Sequence, residues 1–152
     1  NNLYHESIEV PKGIRFLAMV PDFELSTEKA RAVLPKQIPH KDGVFNVSRC
    51  ALLIAAFTKN NLDLVKAACK DKFHQDYRSH LINNYDDIVA YANSLDSLGT
   101  FLSGAGPTIM TLAKDGDDEI LDKMKSYLAA LSDNWQILDL HCDPNGAYYK
   151  EV

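Results

Sequence analysis

The amino-acid sequence predicts an α+β sandwich, an antiparallel sheet with helices packed on one face. Three observations predict it. Strand-like apolar runs and helix-periodic segments follow one another in the order strand–helices–strand–strand–helix–strand. The two central strands are separated only by the glycine-rich stretch around Gly104 and Gly106, a tight hairpin that makes them antiparallel partners. The chain has 152 residues, 46% of them hydrophobic, which suits one domain of ordinary size, and no repeat, low-complexity run or linker divides it.

The elements follow in order. Tyr4 to Val10 alternates only in part, and Pro11-Lys12-Gly13 signals a turn. Ile14 to Val20 (IRFLAMV) reads as a well-buried strand, ended by Pro21-Asp22. Ser26-Thr27-Glu28-Lys29 supplies a hydroxyl cap and an early acidic residue for a short helix that Leu34-Pro35 stops. Asp42 to Thr58 is a long helix, apolar at Val44, Val47, Ala51, Leu52, Ile54 and Ala55. Another runs from Leu62 to about Cys69 after Asn60-Asn61, and Asp71 to Ile82 is mixed. Asp86 and Asp87 open a helix through Leu95, where capping explains the paired carboxylates better than a catalytic dyad does. Gly99 to Ser103 and Thr108 to Leu112 form the hairpin, and Lys114-Asp115-Gly116-Asp117 turns into an amphipathic helix over Asp118 to Leu131. Trp135 to Leu140 reads as a third buried strand and Ala147 to Val152 as an edge strand. That order is the ferredoxin-like sandwich.

Bulk composition narrows the function. A net charge of −5 argues against a nucleic-acid surface, because a phosphate backbone needs a basic face. The longest apolar stretches, such as Cys50 to Phe57, fall far short of a membrane span. No basic, apolar leader opens the chain, and Cys50, Cys69 and Cys142 show no C-x-x-C spacing. Reduced thiols in a cytoplasmic protein are therefore expected.

Three stretches carry residues suited to chemistry. In Ser103-Gly104-Ala105-Gly106 the glycines permit positive φ, so backbone amides can converge on an anion, or the loop can simply turn a hairpin. It lacks the lysine and the following helix of a Walker loop. Arg78, in Phe73-His74-Gln75-Asp76-Tyr77-Arg78, offers a planar fork for a carboxylate or phosphate, against the plainer reading of a surface arginine paired with Asp76 or solvent. Arg31, on the first short helix, would pass alone for a solvated residue. His5, His40, His74, His80 and His141 are scattered without the spacing of a metal pair, so no metal site is expected. The acidic stretch from Asp115 to Glu119 lacks the alternation and final glutamate of a calcium loop.

Together these stretches resemble the GHMP small-molecule kinases and, within them, the homoserine kinases. The run Val20-Pro21-Asp22-Phe23-Glu24-Leu25-Ser26-Thr27, continuing through Ala30-Arg31 to Leu34-Pro35, is similar to the start of the C-terminal half of homoserine kinases. His74-Gln75-Asp76-Tyr77-Arg78 with Leu81-Ile82 resembles an H-E-P-Y-R…L-I-P segment, with Gln75-Asp76 in place of E-P and Asn83 where a proline is common. Leu102 to Met110 (LSGAGPTIM) resembles the third GHMP motif. The glycine loop alone specifies only the superfamily, and the first run points to homoserine kinases.

The resemblance implies that residues 1–152 form a substrate-side, C-terminal GHMP kinase domain. It implies phosphorylation of the L-homoserine hydroxyl by ATP, giving O-phosphohomoserine for threonine synthesis, with Mg2+ bridging the phosphates. Arg31 and Arg78 would grip the substrate carboxylate, Thr27 would lie nearby, and Ser103, Gly104, Ala105 and Gly106 would wall the cleft. The phosphate-binding P-x-x-x-G-L-G-S-S-A type loop is not among these residues. The resemblance therefore implies a separate N-terminal domain that binds ATP and Mg2+ and holds the catalytic groups. This chain alone is expected to be inactive and to bind no cofactor, and a homodimer is a further expectation. The rivals are another GHMP kinase, for which Arg31 and Arg78 would not converge, and an amino-acid-binding α+β regulatory module.

Overall fold

The computed structural model describes Tyr4 and residues 6–144. Its strands are β1 (Ile14–Pro21), β2 (Gly99–Leu102), β3 (Ile109–Lys114) and β4 (Trp135–Leu140). Its α-helices are α1 (Thr27–Ala32), α2 (His40–Thr58), α3 (Val65–Ala68), α4 (Gln75–Arg78), α5 (Tyr85–Ser94) and α6 (Asp118–Ala129). Short 3-10 turns precede α3 at Leu62–Leu64 and follow α4 at Ser79–Leu81. The single helix expected after Asn61 is thus one 3-10 turn running into one α-turn. Tyr4 and residues 6–10 lie outside regular structure, and the strand expected over Ala147 to Val152 falls outside the described residues.

The strands form one antiparallel sheet in the order β2-β3-β1-β4. This is the expected α+β sandwich. Pleat alternation explains how one strand serves two sides. Leu17 and Met19 of β1, with Ile109 and Ala113 of β3, pack against Ile88 and Ala92 of α5 and Ile120, Met124 and Leu128 of α6. The three α6 residues recur every four positions and so form one stripe. Ile14 and Leu112, at the alternate positions, join Ala56 of α2, Val65 of α3 and Leu98 in a smaller cluster. Close approach of α3 to β2 depends on Gly99, where a Cβ would lie 2.7 Å from Cys69 Sγ.

The capping expected of Asp86 and Asp87 does not form, because α5 starts at Tyr85 with Asn84 as an N-cap that makes no side-chain bond, and the two aspartates lie inside its first turn. Two other side-chain caps do form. Ser26 Oγ accepts from Lys29 N (3.1 Å) and Asp117 Oδ1 accepts from Ile120 N (3.2 Å), each satisfying an amide that the first helical turn leaves unpaired.

Two sequence expectations meet a different environment. β4 is not buried: it is an edge strand paired only with β1, and Leu138 and Leu140 are 37% and 42% exposed. Trp135 and Ile137 turn to the α6 side, whereas the alternate residues Leu138 and Leu140 lie across from Ala18 and Phe16. In α2 the apolar residues Val44, Val47, Ala51, Ile54 and Ala55 all face outward, with Val47 69% exposed. The packed side is Leu53, Ala56 and Phe57, so the helix is apolar on both sides.

One buried charge was invisible in the sequence. Arg15 of β1 is 4% exposed, and its Nη1 pairs with Asp118 Oδ1 (3.0 Å) while Nη2 donates to Asp117 O (2.8 Å). Asp139 Oδ2 of β4 lies 3.6 Å from the same Nη1, so one guanidinium ties β1 and β4 to the start of α6. Among the described residues, no helix is long and apolar enough to cross a membrane.

Candidate functional site

The glycine loop, Ser103 to Thr108, joins β2 to β3. Ser103 N donates to Thr108 O (2.9 Å) and Gly106 N to Ser103 O (3.0 Å), closing the loop on itself. Gly104 and Gly106 have φ of +58° and +83°, and the Gly106–Pro107 peptide is cis. The floor is tight: a Cβ at Gly106 would meet Leu102 Cδ1 at 3.0 Å and Ile82 Cδ1 at 3.1 Å. The rim at Gly104 is open, with nothing within 4 Å of an added Cβ. Among the described residues, the amides of Gly104 and Ala105 have no protein acceptor, which leaves two donors at an exposed or half-buried turn.

Helix α4 lies against this loop. It is short, so side chains rather than its own ladder hold it. The Asp71 carboxylate supplies the main anchor: Oδ2 accepts from the amides of Phe73 (3.0 Å), His74 (2.7 Å) and Gln75 (2.8 Å). Its other oxygen accepts from Asn46 Nδ2 of α2 (2.6 Å), and Lys72 N returns a bond to Asn46 Oδ1 (2.9 Å). Burial pushes the Asp71 carboxyl up, but the amides of Gln75, His74 and Phe73 and the Asn46 side chain together hold it below the usual carboxylate range. His74 is pulled below the usual imidazole range, first by burial and further by the Arg78 charge, against the opposing pull of Asp71.

Arg78 closes the arrangement. Its Nε donates to Ala30 O of α1 (2.9 Å) and its Nη1 to Gly104 O (2.9 Å). One half-buried guanidinium therefore bridges the first short helix and the glycine loop. The plainer reading, pairing with Asp76, does not hold, because both bonds go to backbone carbonyls. The run leading to α1 is pinned at its other end. Asp22 N donates to Asn134 O (2.9 Å), Asn134 Nδ2 donates to Asp22 Oδ2 (2.9 Å), and Phe23 meets Trp135 edge to face at 6.4 Å.

Of the residues singled out from sequence, Arg78 and Gly104 are in direct contact. Thr27 and Arg31 sit on α1, whose Ala30 carbonyl Arg78 holds; both are exposed. The Arg31 side chain takes part in no hydrogen bond or ion pair among the described residues. Asp71 and Gln75 were missed. Asp71, placed just before an aromatic-rich turn, fits the short-range capping pattern of aspartate and could have been found on that ground. Gln75 had no local signal, since its partners Tyr85 and Leu102 are distant in sequence.

This donor set, arginine forks and backbone amides, suits the oxygen of a carboxylate or phosphate. It does not suit a metal, and among the described residues no group of three or more His, Cys, Asp or Glu could hold one. Fold and site thus define an α+β domain whose hairpin loop and arginine carry donors of a kind suited to a small anion. The family described as GHMP kinases C terminal matches residues 53–130, just over half of the chain, and the chain belongs to that family. A homoserine kinase of Clostridium botulinum is 50% identical over 142 residues, 93% of this chain and 48% of the relative. One of Clostridium beijerinckii is 46% identical over 97% of this chain and 49% of its own length. The crystal structure of homoserine kinase from Cytophaga hutchinsonii superposes with a TM-score of 0.83 at 27% identity, covering 88% of this chain and 43% of that one. The chain spans about half the length of the curated relatives it matches.

Proposed function

We propose that this chain is the substrate-side domain of a cytoplasmic, ATP-dependent homoserine kinase, which phosphorylates the L-homoserine hydroxyl to O-phosphohomoserine in threonine biosynthesis. The observation that carries the reading is the Arg78 bridge, since it joins, through the backbones of Ala30 and Gly104, the three stretches that resemble the family. Half-length similarity to homoserine kinases supports the choice of substrate.

Two bonds of Arg78 are spent on the protein, which leaves Nη2 and one Nη1 hydrogen for a ligand. Arg31, exposed and unpaired on the neighbouring helix, supplies a second fork, and the two would hold the α-carboxylate by charge-assisted bonds. Thr27 lies on the same helix. Fixing the carboxylate restrains where the side-chain hydroxyl can point, which is the positioning that phosphoryl transfer mainly requires. The amides of Gly104 and Ala105 then face the negative charge of substrate or phosphate. Magnesium would fall to the other half of the whole protein, because the donors here suit anions and not a cation. Most of the ATP contacts would fall there too, because the phosphate-binding P-x-x-x-G-L-G-S-S-A type loop is not among these residues; ATP supplies the transferred phosphoryl group.

The test is a thermal-shift titration of this chain and of the full-length protein with homoserine, threonine and ATP, paired with a phosphorylation assay. The full-length protein is expected to phosphorylate homoserine and the 152-residue chain to transfer none. Strong stabilisation of the chain by an amino acid alone, with no kinase activity at full length, would favour a regulatory binding module instead.

A further inference from the structure

We propose that Gln75 is the positioning residue of the glycine loop, fixing the entry to the loop while Arg78 fixes its crest. The inference rests on the kinase reading for its consequence in catalysis, but not for its geometry. Gln75 Oε1 accepts from Leu102 N at 2.8 Å and from the Tyr85 hydroxyl at 3.0 Å. An amide oxygen has two lone pairs, and both are used. Gln75 Nε2 donates to Cys69 O (3.3 Å), which sets the orientation of the amide; the reverse orientation would point the NH2 at the Leu102 N–H and the amide oxygen at the Cys69 carbonyl.

The need for that acceptor follows from the sheet. β2 is an edge strand, and Leu102 is its last residue before the loop. Ser103 N bonds across the hairpin to Thr108 O, whereas the Leu102 amide is satisfied by the Gln75 side chain. Leu102 is 2% exposed, so its amide left without an acceptor is costly, and its side chain is the floor under Gly106. Arg78, three residues on and therefore on the same side of α4, holds Gly104 O. One helical turn thus grips the loop at two points on either side of Ser103. Between and just beyond them lie the amides of Gly104 and Ala105, whose direction the two grips determine. Asp71 in turn anchors α4 to α2, so the loop is referenced to the body of the domain.

The experiment uses the full-length protein. In Gln75→Leu, hydrogen exchange of peptides covering Leu102 to Gly106 is expected to speed up roughly tenfold, the loss of one well-made buried hydrogen bond, while peptides in α5 and α6 stay unchanged. Homoserine turnover is expected to show kcat down about tenfold or more with KM held within about threefold, because the arginine forks remain. Gln75→Glu keeps both acceptor contacts but loses the bond to Cys69 O, and is expected to recover part of kcat and to slow loop exchange relative to Gln75→Leu. Tyr85→Phe removes only the competing donor, leaves the Leu102 bond, and should keep loop exchange near wild type. Unchanged loop exchange in Gln75→Leu overturns the proposal, and so does a uniform rise across the core. Wild-type protein inactive on homoserine would sink the kinase reading while a loop-confined exchange effect still upheld the geometry.

Discussion

Gly104 and Gly106 look equivalent in the sequence and differ in the fold. Both have positive φ, but only at Gly106 would a Cβ press on Leu102 and Ile82. Gly104→Ala is therefore expected to cost about 1 kcal/mol, the backbone penalty alone. Gly106→Ala is expected to cost about 2–4 kcal/mol, strain plus overpacking. Urea denaturation of the two variants reads the difference, and equal losses would contradict the tight floor. Arg31 and Arg78 diverge in the same way. Arg31→Ala should leave stability within about 0.5 kcal/mol, since its side chain is exposed and unpaired. If the proposed kinase function holds, Arg31→Ala in the full-length protein should raise the homoserine KM roughly tenfold to hundredfold, as expected for the loss of charge-assisted bonds. Arg78→Ala should lower stability and activity together, because its bonds to Ala30 and Gly104 also hold the fold.

At the scale of the element, α4 shows what a single turn needs in order to persist. Four residues cannot sustain a helix by their own ladder, and the Asp71 carboxylate supplies acceptors for three successive amides. A carboxyl held low in the fold favours the folded state above its ordinary pKa, and that contribution is lost as pH falls through the lowered value. A histidine held low acts in the same direction through the unfolded chain, which takes up its proton first, so stability begins to fall below about pH 6.5. The urea midpoint is expected to decline between pH 7.5 and 5.5, and His74→Gln should reduce that slope. A slope unchanged in the variant would assign the decline to other groups. Helix α2 teaches a different lesson. Its apolar periodicity was legible, yet Val44, Val47 and Ile54 face outward. Val47→Ser is expected to shift the Tm of this chain by no more than a degree or two, as for an exposed position. A large drop would show that the outward face is packed after all.

The whole molecule is held by contacts that join segments far apart in the chain. Arg15, buried in β1, pairs with Asp118 across 103 residues and lies near Asp139 of β4. Because Asp118 is 79% exposed and rehydrates readily, Arg15→Ala is expected to cost only about 1–3 kcal/mol, short of the loss from stranding a buried charge. The succession of strands and helices, the α6 stripe, the caps at Ser26 and Asp117 and the hairpin followed from periodicity and turn chemistry, which act over a few residues. The glycine loop and both arginines were likewise visible as residue types, and their resemblance to one family implied a common site, of which the structure brings Arg78 and Gly104 into contact. What only the tertiary structure decided was which side of α2 and β4 is covered, and which atoms Arg78 and Gln75 bind. Local pattern reports that a side chain is apolar or charged. Whether another element lies over it, or whether a carbonyl 26 or 48 residues away comes within 2.9 Å, depends on packing of the entire chain.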